Sequence, residues 1–363
     1  MNETHLVFGV VIALLVVIAV VGVVLFVDFV EGLGSRTGDE DLAVVPSRER
    51  DARDAEGNAV DLEAVPVPTV AELRRKIEEA PADELRQVLD EIASPEVLFG
   101  RDALLQATAE WISEGNATPV RWAALALLRN GNPDGALADL FEACSVSILL
   151  ADGSLNRREV VERLGYQIAM LLENRNEEER IPTEQREEIL HALVRFGGLG
   201  PLRDRGIFVA SALGGATEED RFAVGHLGVL FRESLEPAVQ ALAVRHLGKV
   251  GTVHDVLELT GFRLDPPPSS PEDAEVCGGF LIGLHLAVTR HPDEVAVAQP
   301  VFDAVLRKWN RSEEQDRMRL DLLELLAHHP VPPLAATLDR LATDPNAAVA
   351  AAAEKALEAL FRN

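Results

Sequence analysis

Nine histidines and two cysteines are the residues of this 363-residue chain most able to hold a metal or act as nucleophiles. A helical zinc site needs ligands on one side of the helix, as in H-E-x-x-H, and that pattern is absent. His328 and His329 are adjacent, so they point to different sides of a helix. His246, His291 and His328 or His329 suit helix C-termini, where positive charge meets the negative end of the dipole. Asp152-Gly153-Ser154-Leu155-Asn156 lacks the alternating acidic ligands of a calcium loop, and Arg163 stands where its final glutamate belongs. The segment is predicted to be a turn followed by a helix cap. Gly197-Gly198-Leu199-Gly200-Pro201 follows a helical pattern and precedes no Lys-Ser or Lys-Thr, so it is no phosphate loop. Cys144 and Cys277 sit in apolar helical contexts and are expected to be free, buried thiols. The sequence therefore assigns no catalytic residue, no cofactor-binding residue and no metal ligand, and an enzyme is the less favoured class.

The elements around these residues are predicted to be helices. Hydrophobic residues make up 47% of the chain but aromatics only 5%, so the core must come from Ala, Leu and Val. No sustained apolar alternation follows residue 70, as strands would require. The formal net charge of -26 argues against nucleic acid, whose phosphates need a positive footprint. Arg307, Lys308, Arg311, Arg317 and Arg319 are interleaved with Glu313, Glu314, Asp316 and Asp321, and read as solvated helix faces. The acidity is compatible with a basic protein partner and equally with a salty environment.

Residues 6–27, LVFGVVIALLVVIAVVGVVLFV, contain no charge and no proline. As a helix they would span roughly 33 Å, the thickness of a bilayer's hydrocarbon core. A transmembrane anchor is expected, in preference to a cleaved signal peptide or a buried core helix, because no basic n-region precedes it and no clear small-x-small site follows. Arg36 lies just beyond it and no Lys or Arg comes before, which favours a cytoplasmic C-terminal domain. Residues 28–69 are acidic and rich in Gly and Pro without a helical period, the composition of a flexible linker. The helical domain is then 70–363.

Within it, Leu73 and Ile77, then Leu85, Val88, Leu89 and Ile92, mark two short helices broken at Pro81, with Asp83 expected to cap the second. Ser94 and Pro95 read as the cap and first residue of the next. A helix is expected over 155–174, and the apolar stretch 276–288 is predicted to be a buried inner helix. Residues 265–273, with four prolines, read as a loop. Five triplets at four-residue spacing form stripes: Ala123, Leu127, Gly131; Ile189, Leu193, Gly197; Ala223, Leu227, Phe231; Ala243, Leu247, Gly251; and Ala353, Leu357, Phe361. Their terminal glycines permit left-handed caps.

Residues 119–131, PVRWAALALLRNG, resemble the second helix of a HEAT-type repeat, as do 236–251, EPAVQALAVRHLGKVG, and 344–357, DPNAAVAAAAEKAL. The arginine of that pattern is present at Arg121, whereas Gln240 and Ala350 replace it in the other two. The resemblance implies an all-α, HEAT-like superhelical solenoid after a single transmembrane helix, and a protein-binding scaffold or adaptor as its function. Alternatives are a HEAT-like enzyme or small-ligand binder of the lyase type, or a structural envelope component.

Overall fold

Thr69 opens the first helix through a reciprocal cap: its hydroxyl accepts from the Glu72 amide (3.3 Å) and the Glu72 carboxylate accepts from the Thr69 amide (2.8 Å). The computed structural model describes residues 67–173, 179–198, 203–259, 268–310 and 312–362. The expected anchor, 6–27, and the linker up to residue 66 lie outside them. No helix of the described residues is long and apolar enough to cross a membrane.

Every regular element among the described residues is helical. In chain order they are α1 (Val70–Glu78), α2 (Leu85–Ile92), α3 (Gly100–Glu114), α4 (Ala117–Asn130), α5 (Pro133–Leu150), α6 (Arg157–Leu172), α7 (Thr183–Gly198) and α8 (Arg203–Leu213). There follow α9 (Arg221–Glu233), α10 (Pro237–Val250), α11 (Val253–Leu257), α12 (Pro271–Arg290), α13 (Gln299–Lys308), α14 (Glu313–His328), α15 (Ala335–Leu341) and α16 (Ala347–Arg362), with 3-10 turns at Pro292–Ala298 and Pro332–Leu334. The even-numbered helices pack each on the next, from α2 to α16. α1, α3, α5, α7 and α9 form a second row, which α13 and α15 continue. A two-row stack built from neighbours is what amphipathic helix pairs produce when each buries its apolar stripe on the next. One buried core of Ala, Leu, Val and Ile runs through all of it.

A repeat unit is visible in the polar residues. Arg186 and Arg221, Thr217 and Thr252, and Asp220 and Asp255 are each 35 residues apart. In both copies the Thr amide and hydroxyl donate to the aspartate of a Thr-x-x-Asp turn, and the arginine binds the same aspartate through two nitrogens. Each copy thus ties a helix of the second row, α7 or α9, to the turn beyond the even-numbered helix that follows it, α8 or α10. This periodicity lies in polar residues, outside the apolar stripes that mark the helices.

The even row is drawn together by small residues. A Cβ on Gly165 of α6 would lie 2.7 Å from the Phe208 carbonyl of α8, and one on Gly248 of α10 would lie 1.8 Å from the Gly283 carbonyl of α12. Gly279 and Gly283 meet the Ala241 and Val244 carbonyls in the same way. Backbone therefore touches backbone at the α10–α12 seam, and the stretch 276–288 is buried as expected apart from exposed Ile282 and half-buried Gly278, His285 and Leu286.

Several local expectations fail for identifiable reasons. Asp83 does not cap α2: the helix enters through Glu84, which makes no side-chain cap, and the Pro81 carbonyl accepts from the Glu84 and Leu85 amides. Ser94 and Pro95 begin a turn, not a helix. α3 starts at Gly100 because Phe99 is left-handed (φ 62°) and Gly100 lies against the Ile92 carbonyl, where a Cβ would approach to 1.9 Å. Gly131 and Gly251 are extended, not left-handed, and donate to the Leu127 (3.0 Å) and Leu247 (2.7 Å) carbonyls. The first two residues of the first four stripes are buried, but Gly131 and Phe361 (79%), at the ends of the first and fifth, are exposed.

Candidate binding face

Four clefts among the described residues lie along the even row. One of about 970 Å³ lies between α2 and α4, beside Arg121, Trp122 and Glu179. A second, about 570 Å³, lies between α4 and α6 under the end of α3, with Trp111, Ile112 and Leu155 as apolar walls. A third, about 340 Å³, crosses α6, α8 and α10. The fourth, about 300 Å³, lies between α12 and α14 beside His285 and Asp321. Partial burial and then the Glu324 charge push the Asp321 carboxyl up.

Ion pairs cross this face. Arg121, the arginine of the HEAT-like pattern, pairs with Glu179 (3.0 Å), which also accepts from the Trp122 indole (3.0 Å). Lys249 at the end of α10 pairs with Glu173 at the end of α6. Arg158 of α6 pairs with Glu275 of α12 although α8 and α10 intervene, which requires the row to bend over them. Between the pairs stand exposed Tyr166 (50%), Met170 (37%) and Ile282 (46%).

The third cleft is lined by buried polar atoms without partners. Ser211 is 1% exposed, and neither its hydroxyl nor the buried His246 Nδ1 has a hydrogen-bond partner among the described residues. The His246 ring lies on Gly214, where a Cβ would come within 2.4 Å of Nδ1. Burial, then Arg245 and Lys249, push its pKa down to about 3. His246 is thus a neutral imidazole within α10, and the charged C-terminal cap expected of it is not formed.

No protein-family profile matches the chain, and no curated protein matches it. An engineered protein of known structure is similar over 80% of this chain and 78% of its own, at 16% identity and a TM-score of 0.34. A designed armadillo repeat protein is similar over 80% of this chain and 100% of its own, at 14% identity and a TM-score of 0.24. Both TM-scores are too low to add to what the helix packing itself shows. The described residues form a helical repeat solenoid.

The remaining residues singled out by chemistry fall in separate places on the solenoid. Cys144 and Cys277 are buried and form no disulfide, and burial pushes the Cys144 thiol up to about 12. Asp152 and Gly153 turn the chain with positive φ (52° and 72°) between α5 and α6, as the turn reading requires. His254 meets Glu258 one helical turn on (3.3 Å), at four-residue spacing. Among the described residues no group of three or more His, Cys, Asp or Glu is placed to hold a metal ion. His328 ends α14 as its polarity suggests, and His291 closes α12 within 3.3 Å of Glu218. Arg319 departs from expectation: it is 2% exposed, held between Asp316 and Asp344, and forms no part of a solvated face.

Proposed function

We propose that this chain is a membrane-anchored, HEAT-like scaffold that presents the exposed face of its even row to a protein partner carrying a basic surface. The observation that carries this reading is the series of clefts along the even row, with exposed Tyr166, Met170 and Ile282 beside them, in a two-row solenoid. The net charge of -26 supports the choice of a basic partner. Residues 6–27 serve as the anchor, and tethering raises the partner's local concentration at the membrane.

Crosslinking in native membranes followed by affinity capture tests the proposal, comparing the full chain with 70–363. One protein recovered in near-equal amount, weakened without the anchor and lost in a Tyr166→Ala/Ile282→Ala variant, is the expected result. Capture that is indifferent to both changes would overturn it. For the proposed cytoplasmic placement, thiol labelling needs a cysteine introduced at Ser47 in the linker, because Cys144 is 1% exposed and will not react from either side.

A further inference from the structure

The cleft across α6, α8 and α10 carries charges and hydrogen-bonding groups that the fold itself does not use. Four charged residues line it, Glu159 and Glu162 against Arg163 and Arg245. Glu159 and Arg163 pair with each other, one turn apart on α6. Glu162 and Arg245 have no ion-pair partner among the described residues, and they approach the cleft from different helices. Deeper in, the Ser211 hydroxyl and His246 Nδ1 are buried without partners. Gln167 accepts from Arg121 through its amide oxygen (3.3 Å), which leaves its amide N–H groups to donate. Tyr166, the single tyrosine of the chain, stands half-exposed at the rim.

We propose that this cleft binds a free α-amino acid as its zwitterion. The lining is electrically balanced, so a ligand of net negative charge would meet the glutamates and one of net positive charge the arginines. A zwitterion satisfies both, its carboxylate on Arg245 and its ammonium on Glu162, with Ser211 completing the polar contacts. Buried polar groups in native proteins are nearly all hydrogen-bonded, and a ligand supplies partners that the neighbouring helices do not. The volume of about 340 Å³ suits a small molecule.

Calorimetric titration of the full chain in detergent micelles tests this with L-alanine, L-leucine and L-phenylalanine as zwitterions, N-acetyl-L-leucine as the anion and L-leucine amide as the cation. At least one zwitterion is expected to bind, with the matching one-charge analogues weaker by about tenfold or more. Arg245→Gln and Glu162→Gln should each weaken it by about tenfold, and Ser211→Ala by about fivefold. Ser211→Ala removes a hydroxyl that makes no internal bond, so its melting temperature without ligand should not fall, and loss of affinity cannot be assigned to misfolding. Binding of no amino acid overturns the proposal, as does an anion that binds as well as the zwitterion or affinity that survives Arg245→Gln.

Discussion

Arg186 and Arg221 each bind the aspartate of a Thr-x-x-Asp turn through two nitrogens, yet their surroundings differ. The Arg186 and Asp220 side chains are 11% and 10% exposed, and Arg186 Nε also donates to the Leu172 carbonyl (2.8 Å). Burial pushes the Asp220 carboxyl up, but Arg186 and the Thr217 amide and hydroxyl outweigh it and hold the carboxyl below its ordinary value. The Arg221 side chain is 59% exposed. Arg186→Met strands a buried carboxylate and should cost about 3–5 kcal/mol in urea denaturation. Arg221→Met, at a pair open to solvent, should cost about 1 kcal/mol or less. Equal costs would mean that exposure does not govern these pairs. His246 gives a second prediction at this scale. Its pKa falls from 6.5 to about 3 on folding, so the unfolded chain takes up a proton that the native chain refuses. Its contribution is complete above pH 6.5 and is lost as pH falls toward 3, at about 1.4 kcal/mol per pH unit. His246→Gln should remove that slope from the difference between the two proteins' stabilities measured from about pH 7 to about pH 5.

Helical glycines here are of two kinds, those at a helix–helix seam and those open to solvent, and substitution separates them. A Cβ on Gly283 would lie 2.4 Å from the Val244 carbonyl, whereas one on Gly225 in α9 meets nothing within 4 Å. Gly283→Ala should push α12 off α10 and cost about 1–3 kcal/mol despite its better helix propensity. Gly225→Ala should gain about 0.5–1 kcal/mol for propensity alone. Thermal melts of the two variants check both signs. Leu247, 1% exposed in the same row, should cost about 2–5 kcal/mol when changed to Ala, and exposed Glu354 about 0.5 kcal/mol or less. The helices were legible because Ala and Leu recur at three- and four-residue spacing, as in Ala243 and Leu247. The entries to α2 and α3 were not, since Pro81 and Pro95 mark a break without saying how many residues the turn consumes. Gly131 and Gly251 misled for a related reason: glycine at a helix end signals either positive φ or close approach, and here the approach to Leu127 and Leu247 carbonyls decides.

Across the whole solenoid, legibility falls with sequence separation. Arg121 was visible as part of a local pattern, but the cleft that joins Glu162, Ser211 and Arg245 depends on three helices stacking, and no local spacing encodes it. Arg319 looked like surface for the same reason, because Asp344, its partner, comes from a turn 25 residues away. That dependence on neighbours also shapes how the molecule should unfold. α14 packs on α12, α13 and α16, and no helix before α12 is in substantial contact with it. Leu323 of α14 is fully buried. Leu323→Ala should cost about 2–5 kcal/mol, spent within the stack that α14 joins. Hydrogen exchange followed by peptide mass should therefore show lost protection in α13 to α16, with α4 to α8 keeping the exchange rates of the unmodified chain. A uniform loss from α4 to α16 would mean that the rows unfold as one cooperative unit, and the sum of neighbour interfaces would not describe this protein.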